Sequence, residues 1–214
     1  MAKQRVIAYI DGFNLFYGSL KGTHYKWLDI YSLCKTFLKP NQELIAVKYF
    51  SARVGAFGEQ IDRPEKQKIY LQALATFPKV EIILGYFSAH KVKMPSAKEY
   101  EQGKIVPVEV IKTEEKGTDV NLAVQMVADA YENRFDYAML FSNDSDIAYS
   151  VKISTKVCKK YVGLYIDKKA SPTKVLQENI CYIKRLSPSL LAEHQLPEKL
   201  TSPTGRLITK PKDW

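Results

Sequence analysis

Two periodicities alternate along the chain. Arg5–Ile10 (RVIAYI) is a short apolar run that stops at Asp11-Gly12, the form of a parallel strand buried on both faces. Leu15 to Leu38 carries helical spacing in two pieces, broken near Gly22 and Thr23. Glu43–Ala52 reads as a second strand, Pro64 opens a helical segment with Ile69, Ala73, Leu74 and Phe77 on one face, and Val80–Ser88 reads as a third strand. Ala89 to Pro107 shows no clear period, and Val108–Lys112 has the form of a short strand. Thr118–Glu132 is the clearest helix, with Thr118 as the expected N-cap. A fourth strand, Tyr137–Ser142, a helix over Asp146–Lys156 and a fifth strand, Tyr161–Ile166, follow. A short helix around Thr173–Asn179 and an edge strand at Tyr182–Arg185 complete the pattern. From about Ser187 onward, Pro188, Pro197, Pro203 and Pro211 punctuate a polar stretch, and roughly its last 15 residues are expected to be extended or disordered.

Strands alternating with helices predict an α/β fold, a mostly parallel sheet with helices on both faces. Ligands of such sheets sit beyond the carboxyl ends of the strands, where the strand order reverses. The first strand ends in Asp11-Gly12-Phe13-Asn14, and the fourth in Ser142-Asn143-Asp144-Ser145-Asp146. Lys116-Gly117-Thr118-Asp119 opens the clearest helix. Each residue has an ordinary reading alone: Asp11, Asp144 and Asp146 as turn residues, Asn14 as a cap, Asp119 as a first-turn acid and Lys116 as an exposed turn lysine. Together they place four carboxylates where a doubly wound sheet can gather them. Such a cluster is tolerable when protonated, paired with cations or bound to metal. Oxygen donors without histidine or cysteine select hard cations, Mg²⁺ or Mn²⁺.

Composition narrows the classes. Over 214 residues the hydrophobic share is 46%, enough to build a core, so wholesale disorder is excluded. Three scattered cysteines make neither a disulfide framework nor a zinc cluster and suit a reducing compartment. The apolar run before Asp11 is too short for a signal sequence and no stretch is long enough for a membrane span, so a soluble, cytoplasmic protein is expected. The net charge is +9, and nine basic residues between Lys152 and Arg185 face only Asp167 and Glu178. That clustering points to a polyanion partner. In this topology the loop Asp167-Lys168-Lys169 opens on the same sheet edge as the acidic positions, which makes Lys168 and Lys169 the expected contacts to a polyanion backbone. Lys159 and Lys160 precede the fifth strand and fall on the opposite edge. P-loop, dinucleotide-binding, GxSxG and HExxH motifs are all missing.

YIDGFNLFYG, KGTDVNLAVQMVADAYE and LFSNDSDI, in this order and spacing, resemble the NYN domain, a branch of the PIN-like nuclease superfamily, with the LabA-like bacterial group the nearest fit. The likeness runs over about residues 4–197; it implies a nuclease domain at residues 4–186 and a C-terminal extension at 187–214. It implies a PIN-like three-layer sandwich whose five main strands lie in the order 3-2-1-4-5, which sets Asp11 beside Asp144. It also implies a Mg²⁺- or Mn²⁺-dependent ribonuclease acting on single-stranded RNA. Asp11, Asp119 and Asp144 match the family's acidic positions, Asp146 a further one, Asn14 the polar residue after the first strand, and Ser142 the small hydroxyl residue leading into the fourth-strand motif. Asp11, Asp119 and Asp144 would hold a first metal, and Asp146 would bind a second or position water. Asn14, Ser142 and Lys116 would orient a carboxylate or touch phosphate. The alternative is an RNA-binding or regulatory protein of the same fold that cuts weakly or not at all. A membrane partner is not expected, and the sequence leaves the oligomeric state open, a homodimer included. Asn143 stands where the family commonly has glycine and Ile147 where it has an aromatic residue; asparagine tolerates the left-handed backbone, so the same turn is expected.

Overall fold

The computed structural model describes residues 2–55, 62–212 and 214. Its centre is a seven-stranded sheet in the order β4-β3-β2-β1-β5-β6-β7. The strands are β1 (Gln4–Asp11), β2 (Gln42–Ala52), β3 (Val80–Pro95), β4 (Pro107–Lys116), β5 (Tyr137–Phe141), β6 (Tyr161–Asp167) and β7 (Tyr182–Leu186). All neighbours are parallel except β3 and β4. The expected order of the five main strands is present as β3-β2-β1-β5-β6, with one further strand on each edge.

The reason β1 lies at the centre is visible in its side chains. Val6, Ala8 and Ile10 are buried in one core and Ile7 and Tyr9 in the other, so a five-residue apolar run serves two layers at once. On the first face pack α2 (Ile30–Thr36) and α3 (Arg63–Leu74), through Ile30, Leu33 and Cys34 and through Tyr70, Ala73 and Leu74. On the second pack α5 (Thr118–Tyr131) and α6 (Ala148–Lys152), through Leu122, Met126 and Ala130 and through Ala148 and Val151. Burying each such large apolar side chain stabilises the fold by about 2 kcal/mol. Short helices α1 (Gly12–Leu15), α4 (Ala97–Tyr100), α7 (Lys174–Gln177) and α8 (Pro188–Glu193) complete the chain. A π-helical turn follows α1, and another extends α6 as far as Val157.

A buried polar cluster fixes α5 against the sheet. Asp129, fully buried, accepts from Tyr9 Oη of β1 and Lys48 Nζ of β2, each at 2.7 Å, and from Gln125 Nε2 at 3.0 Å. The carboxylate thus meets cation and donors together, the condition under which a buried charge is sustained. These contacts pin the C-terminal half of α5 to β1 and β2.

The stretch Ala89 to Pro107, without a clear period in the sequence, begins as strand: β3 runs on to Pro95 and pairs with β4 as an antiparallel ribbon from Tyr86↔Lys116 to Pro95↔Pro107. Both faces of that ribbon are largely exposed, so it carries no apolar alternation. Thr118 is the first residue of α5 rather than its cap; Gly117, at φ 92°, occupies that position, in a backbone region where glycine has no Cβ to clash. Asn143 is not left-handed: among described residues other than glycine only Asn133 and Lys159 have positive φ.

The described residues from Ser187 onward pack back onto the domain. Leu191, Leu196 and Ile208 join the first core, and β8 (Lys199–Thr201) pairs with β9 (Leu207–Thr209). Trp27 Nε1 donates to the Pro197 carbonyl at 2.9 Å, and the Trp214 ring lies 5.8 Å from that of Tyr70. Among the described residues, no helix is long and apolar enough to cross a membrane.

Candidate active site

The chain runs outward from β1 through β2 to β3 and returns to β5 on the other side of β1, so strand order reverses between β1 and β5. Ile10 pairs with Phe141 there, which brings Asp11 and Ser142, the next residues on each strand, side by side. Ser142 Oγ donates to Asp11 Oδ2 at 2.9 Å, and the Asn14 backbone N–H donates to Asp11 Oδ1 at 2.9 Å, capping α1. Ser142 Oγ also accepts from the Asp144 N–H at 3.1 Å, and the Asp146 N–H donates to Asp144 Oδ1 at 2.9 Å. Asn14 Oδ1 accepts from the Asn143 N–H at 3.0 Å. Each expected residue at the ends of β1 and β5 is therefore joined to another by a hydrogen bond.

Gly12 allows the turn out of β1 to press against β2. A Cβ there would lie 2.8 Å from the Phe50 carbonyl and from the Tyr49 ring, so any larger residue would push α1, and Asn14 with it, away from the sheet. Asn143 owes its place to its side chain. Nδ2 donates to the Ser171 carbonyl at 2.8 Å and Oδ1 accepts from the Thr173 N–H at 3.0 Å, tying the loop after β6 to the acidic turn. Glycine could make neither bond. Ile147, fully buried, packs beneath the turn in the second core.

Asp11, Asp119, Asp144 and Asn14 line one open cavity of about 530 Å³, together with Glu115 and Asp167. No lysine or arginine is among its lining residues. Burial pushes the Asp11 carboxyl above its usual range, with Asp144 adding to the rise and the bonds from Asn14, Ser142 and Phe13 opposing it. Asp119 is pushed up to about 6, first by burial and then by the charges of Asp11, Asp144, Glu115 and Asp146.

Glu115 escapes sequence reasoning. It sits near the end of β4, and its Oε1 accepts from Thr118 N–H at 3.0 Å and from Thr118 Oγ1, so this carboxylate caps α5 while facing Asp119. A glutamate three residues before a helix-opening threonine is the available signal, but it points here only once β4 is known.

The other expected residues are less central. Asp146 is exposed and outside the cavity lining, though its charge still acts on Asp119. Lys116 Nζ lies 3.6 Å from Glu114 Oε2, and the side chain is outside the lining too. Lys168 and Lys169 are exposed directly after Asp167. Lys159 and Lys160 lie with Arg5 and Asp136 at the opposite edge.

Among the described residues, no three Asp, Glu, His or Cys side chains are drawn into a closed coordination shell. The donors nonetheless suit a hard, hydrated cation. Mg²⁺ keeps most of its waters and needs only one or two direct carboxylates. The cavity offers oxygen donors alone, mutual repulsion to be relieved, and space for bound water. The same chemistry disfavours zinc, which prefers nitrogen and sulfur ligands.

A curated relative, the 6-hydroxy-3-succinoylpyridine 3-monooxygenase HspA of Pseudomonas putida, is 27% identical over 98% of this chain and 75% of its own. The crystal structure of a protein of unknown function from Vibrio parahaemolyticus superposes with a TM-score of 0.54 at 13% identity, covering 91% of this chain and 98% of that one, and so shares the fold. The NYN domain model matches residues 5–182, most of the chain. On that match the chain belongs to the NYN domain family, within the PIN-like superfamily.

Proposed function

We propose that the protein is a Mg²⁺- or Mn²⁺-dependent ribonuclease that hydrolyses phosphodiester bonds of single-stranded RNA at the acidic cavity. One observation carries the reading: Asp11, Glu115, Asp119 and Asp144 share a cavity with no lysine or arginine in its lining, in a NYN chain of net charge +9. A bound divalent cation would supply an activated water and neutralise charge developing on the phosphate.

Asp11, Asp119 and Asp144 would hold that cation, directly or through water. Asp11 is fixed in advance, since Ser142 holds one of its oxygens and the Asn14 N–H the other. Asp144 is fixed by the Asp146 N–H, which gives Asp146 a positioning role through its backbone. Asp119 has no such bond among the described residues, and with its carboxyl pushed up to about 6 it adjusts when the cavity's charge changes. Lys168 and Lys169, on the same edge of the sheet, would contact flanking phosphates.

The test is cleavage of an end-labelled single-stranded RNA by the purified full chain with Mg²⁺, with Mn²⁺ and with EDTA. Cleavage should require metal and should disappear in Asp11→Asn, which is nearly isosteric. Equal trace cleavage by both proteins would select the binding or regulatory alternative. The name of HspA favours a second reading, oxygenation of 6-hydroxy-3-succinoylpyridine. Oxygen consumption dependent on that compound, without RNA cleavage, would select it.

A further inference from the structure

A second cavity, of about 310 Å³, adjoins the acidic one, and Phe13 and Tyr17 line both. Its chemistry is the reverse. Lys21, Lys26, Arg63 and Lys66 line it, and among the described residues Asp62 is the one acidic side chain in the lining. Lys66 is held by Asp62 at 2.5 Å, whereas Lys21, Lys26 and Arg63 have no carboxylate within 4.0 Å among the described residues.

The rest of the wall is aromatic. Tyr49 and Tyr70, both buried, have ring centroids 6.3 Å apart. Trp214 stands beside Tyr70, and its Nε1 is a buried donor with no acceptor among the described residues. Tyr17 is 51% exposed, yet its ring is held in place. Arg63 donates to its hydroxyl at 2.9 Å, Lys21 Nζ lies 5.0 Å from its centroid, and the Phe16 ring stands at 5.3 Å. An exposed, fixed aromatic ring between cations offers a stacking surface to a flat ring and charge to an anion attached to it. Single-stranded nucleic acids are recognised by this combination of aromatic faces and basic groups.

We propose that the second cavity binds the nucleotide adjacent to the scissile bond, its base against Tyr17 and Trp214 and its phosphate on Lys21, Lys26 and Arg63. Only the word scissile rests on the ribonuclease reading; nucleotide binding rests on this cavity. The assignment also answers a difficulty of the acidic cavity, which repels phosphate until a cation enters. The neighbouring cations would hold the chain across that gap.

The test titrates the full chain, in EDTA, with adenosine and uridine 5′-monophosphate, inorganic phosphate and nicotinate, reading tryptophan fluorescence. Trp27 is fully buried and does not line the cavity, but its ring lies 5.9 Å from that of Tyr70, so Trp214→Phe identifies the reporting tryptophan. At least one nucleotide should bind about tenfold more tightly than phosphate or nicotinate, and Trp214→Phe should remove the signal. Lys21→Ala with Arg63→Ala should weaken nucleotide binding about tenfold, as should Lys26→Glu from a separate position. In cleavage the double variant should raise KM with little change in kcat. Nucleotides binding no better than phosphate, nicotinate binding best, or variants binding as wild type would overturn the proposal. Failure of the ribonuclease reading looks different: nucleotide binding intact, also in Asp144→Asn, and no RNA cut.

Discussion

Asp119→Asn should make the metal-free protein more stable at neutral pH, the opposite of what losing a first-turn acid usually does. Asp119 ionises near 3.8 in the unfolded chain and near 6 in the fold, because burial and Asp11, Asp144, Glu115 and Asp146 disfavour its charge. Below 3.8 both states carry the proton and the site costs nothing. As pH rises from 3.8 to 6 the unfolded chain ionises first, so stability falls, and above 6 the whole cost is present. Moving the group from 3.8 to about 6 corresponds to roughly 3 kcal/mol undiluted. The side chain is half-buried, and solvent screening reduces this to about 1.5 kcal/mol. Loss of the favourable helix-dipole interaction at the start of α5 subtracts about 0.5 kcal/mol. The net gain is about 1 kcal/mol, or roughly 2–4 °C for a chain of this size. Urea unfolding of wild type and variant in EDTA, from pH 4 to pH 8, measures it. The two should coincide near pH 4 and separate by pH 7.5 in the variant's favour. With Mn²⁺ at about 100 times Kd, wild type should gain roughly 2.7 kcal/mol and the variant much less, reversing the order. A variant less stable than wild type at pH 7.5 in EDTA, or a gap independent of pH, would refute the electrostatic reasoning.

Asp129→Ala should destabilise by about 3 kcal/mol in denaturant unfolding, because it takes the close partner from buried Lys48 and leaves it only Glu81 at 3.9 Å. Asn143→Gly should cost about 1–2 kcal/mol and detach the loop after β6, seen as faster amide exchange at Ser171 to Thr173. Lys168→Glu with Lys169→Glu should weaken binding to a short single-stranded RNA and flatten its salt dependence by about 0.7 log units per lost contact. Lys159→Glu with Lys160→Glu, at the far edge of the sheet, should do much less; equal losses in the two pairs would mean a diffuse field rather than a track.

The parallel strands were legible because burial on both faces leaves continuous apolar runs ending in turn residues, as in Arg5–Ile10 before Asp11-Gly12. From those ends the positions of Asp11, Asn14, Ser142 and Asp144 follow, and the structure brings these four into one hydrogen-bonded group. The β3–β4 ribbon was legible only at Val80–Ser88 and Val108–Lys112, for the converse reason. Its side chains are mostly exposed on both faces, so its full length carries neither period, and Glu115 could not be placed beside Asp119. The role of Asn143 depends on partners about 30 residues away, which local turn preference cannot anticipate. The C-terminal stretch is anchored by isolated residues, Leu196, Ile208 and Trp214, too sparse to form a pattern.

The central claim is that carboxylates gathered between β1 and β5 hold the cation that cuts RNA. Single-turnover cleavage of a single-stranded RNA at saturating Mn²⁺, wild type against Asp144→Asn, tests it most directly, with RNA affinity measured on the same preparations. The account predicts a rate loss on the order of 10³-fold with affinity within a few fold. Cleavage by Asp144→Asn at the wild-type rate would contradict it.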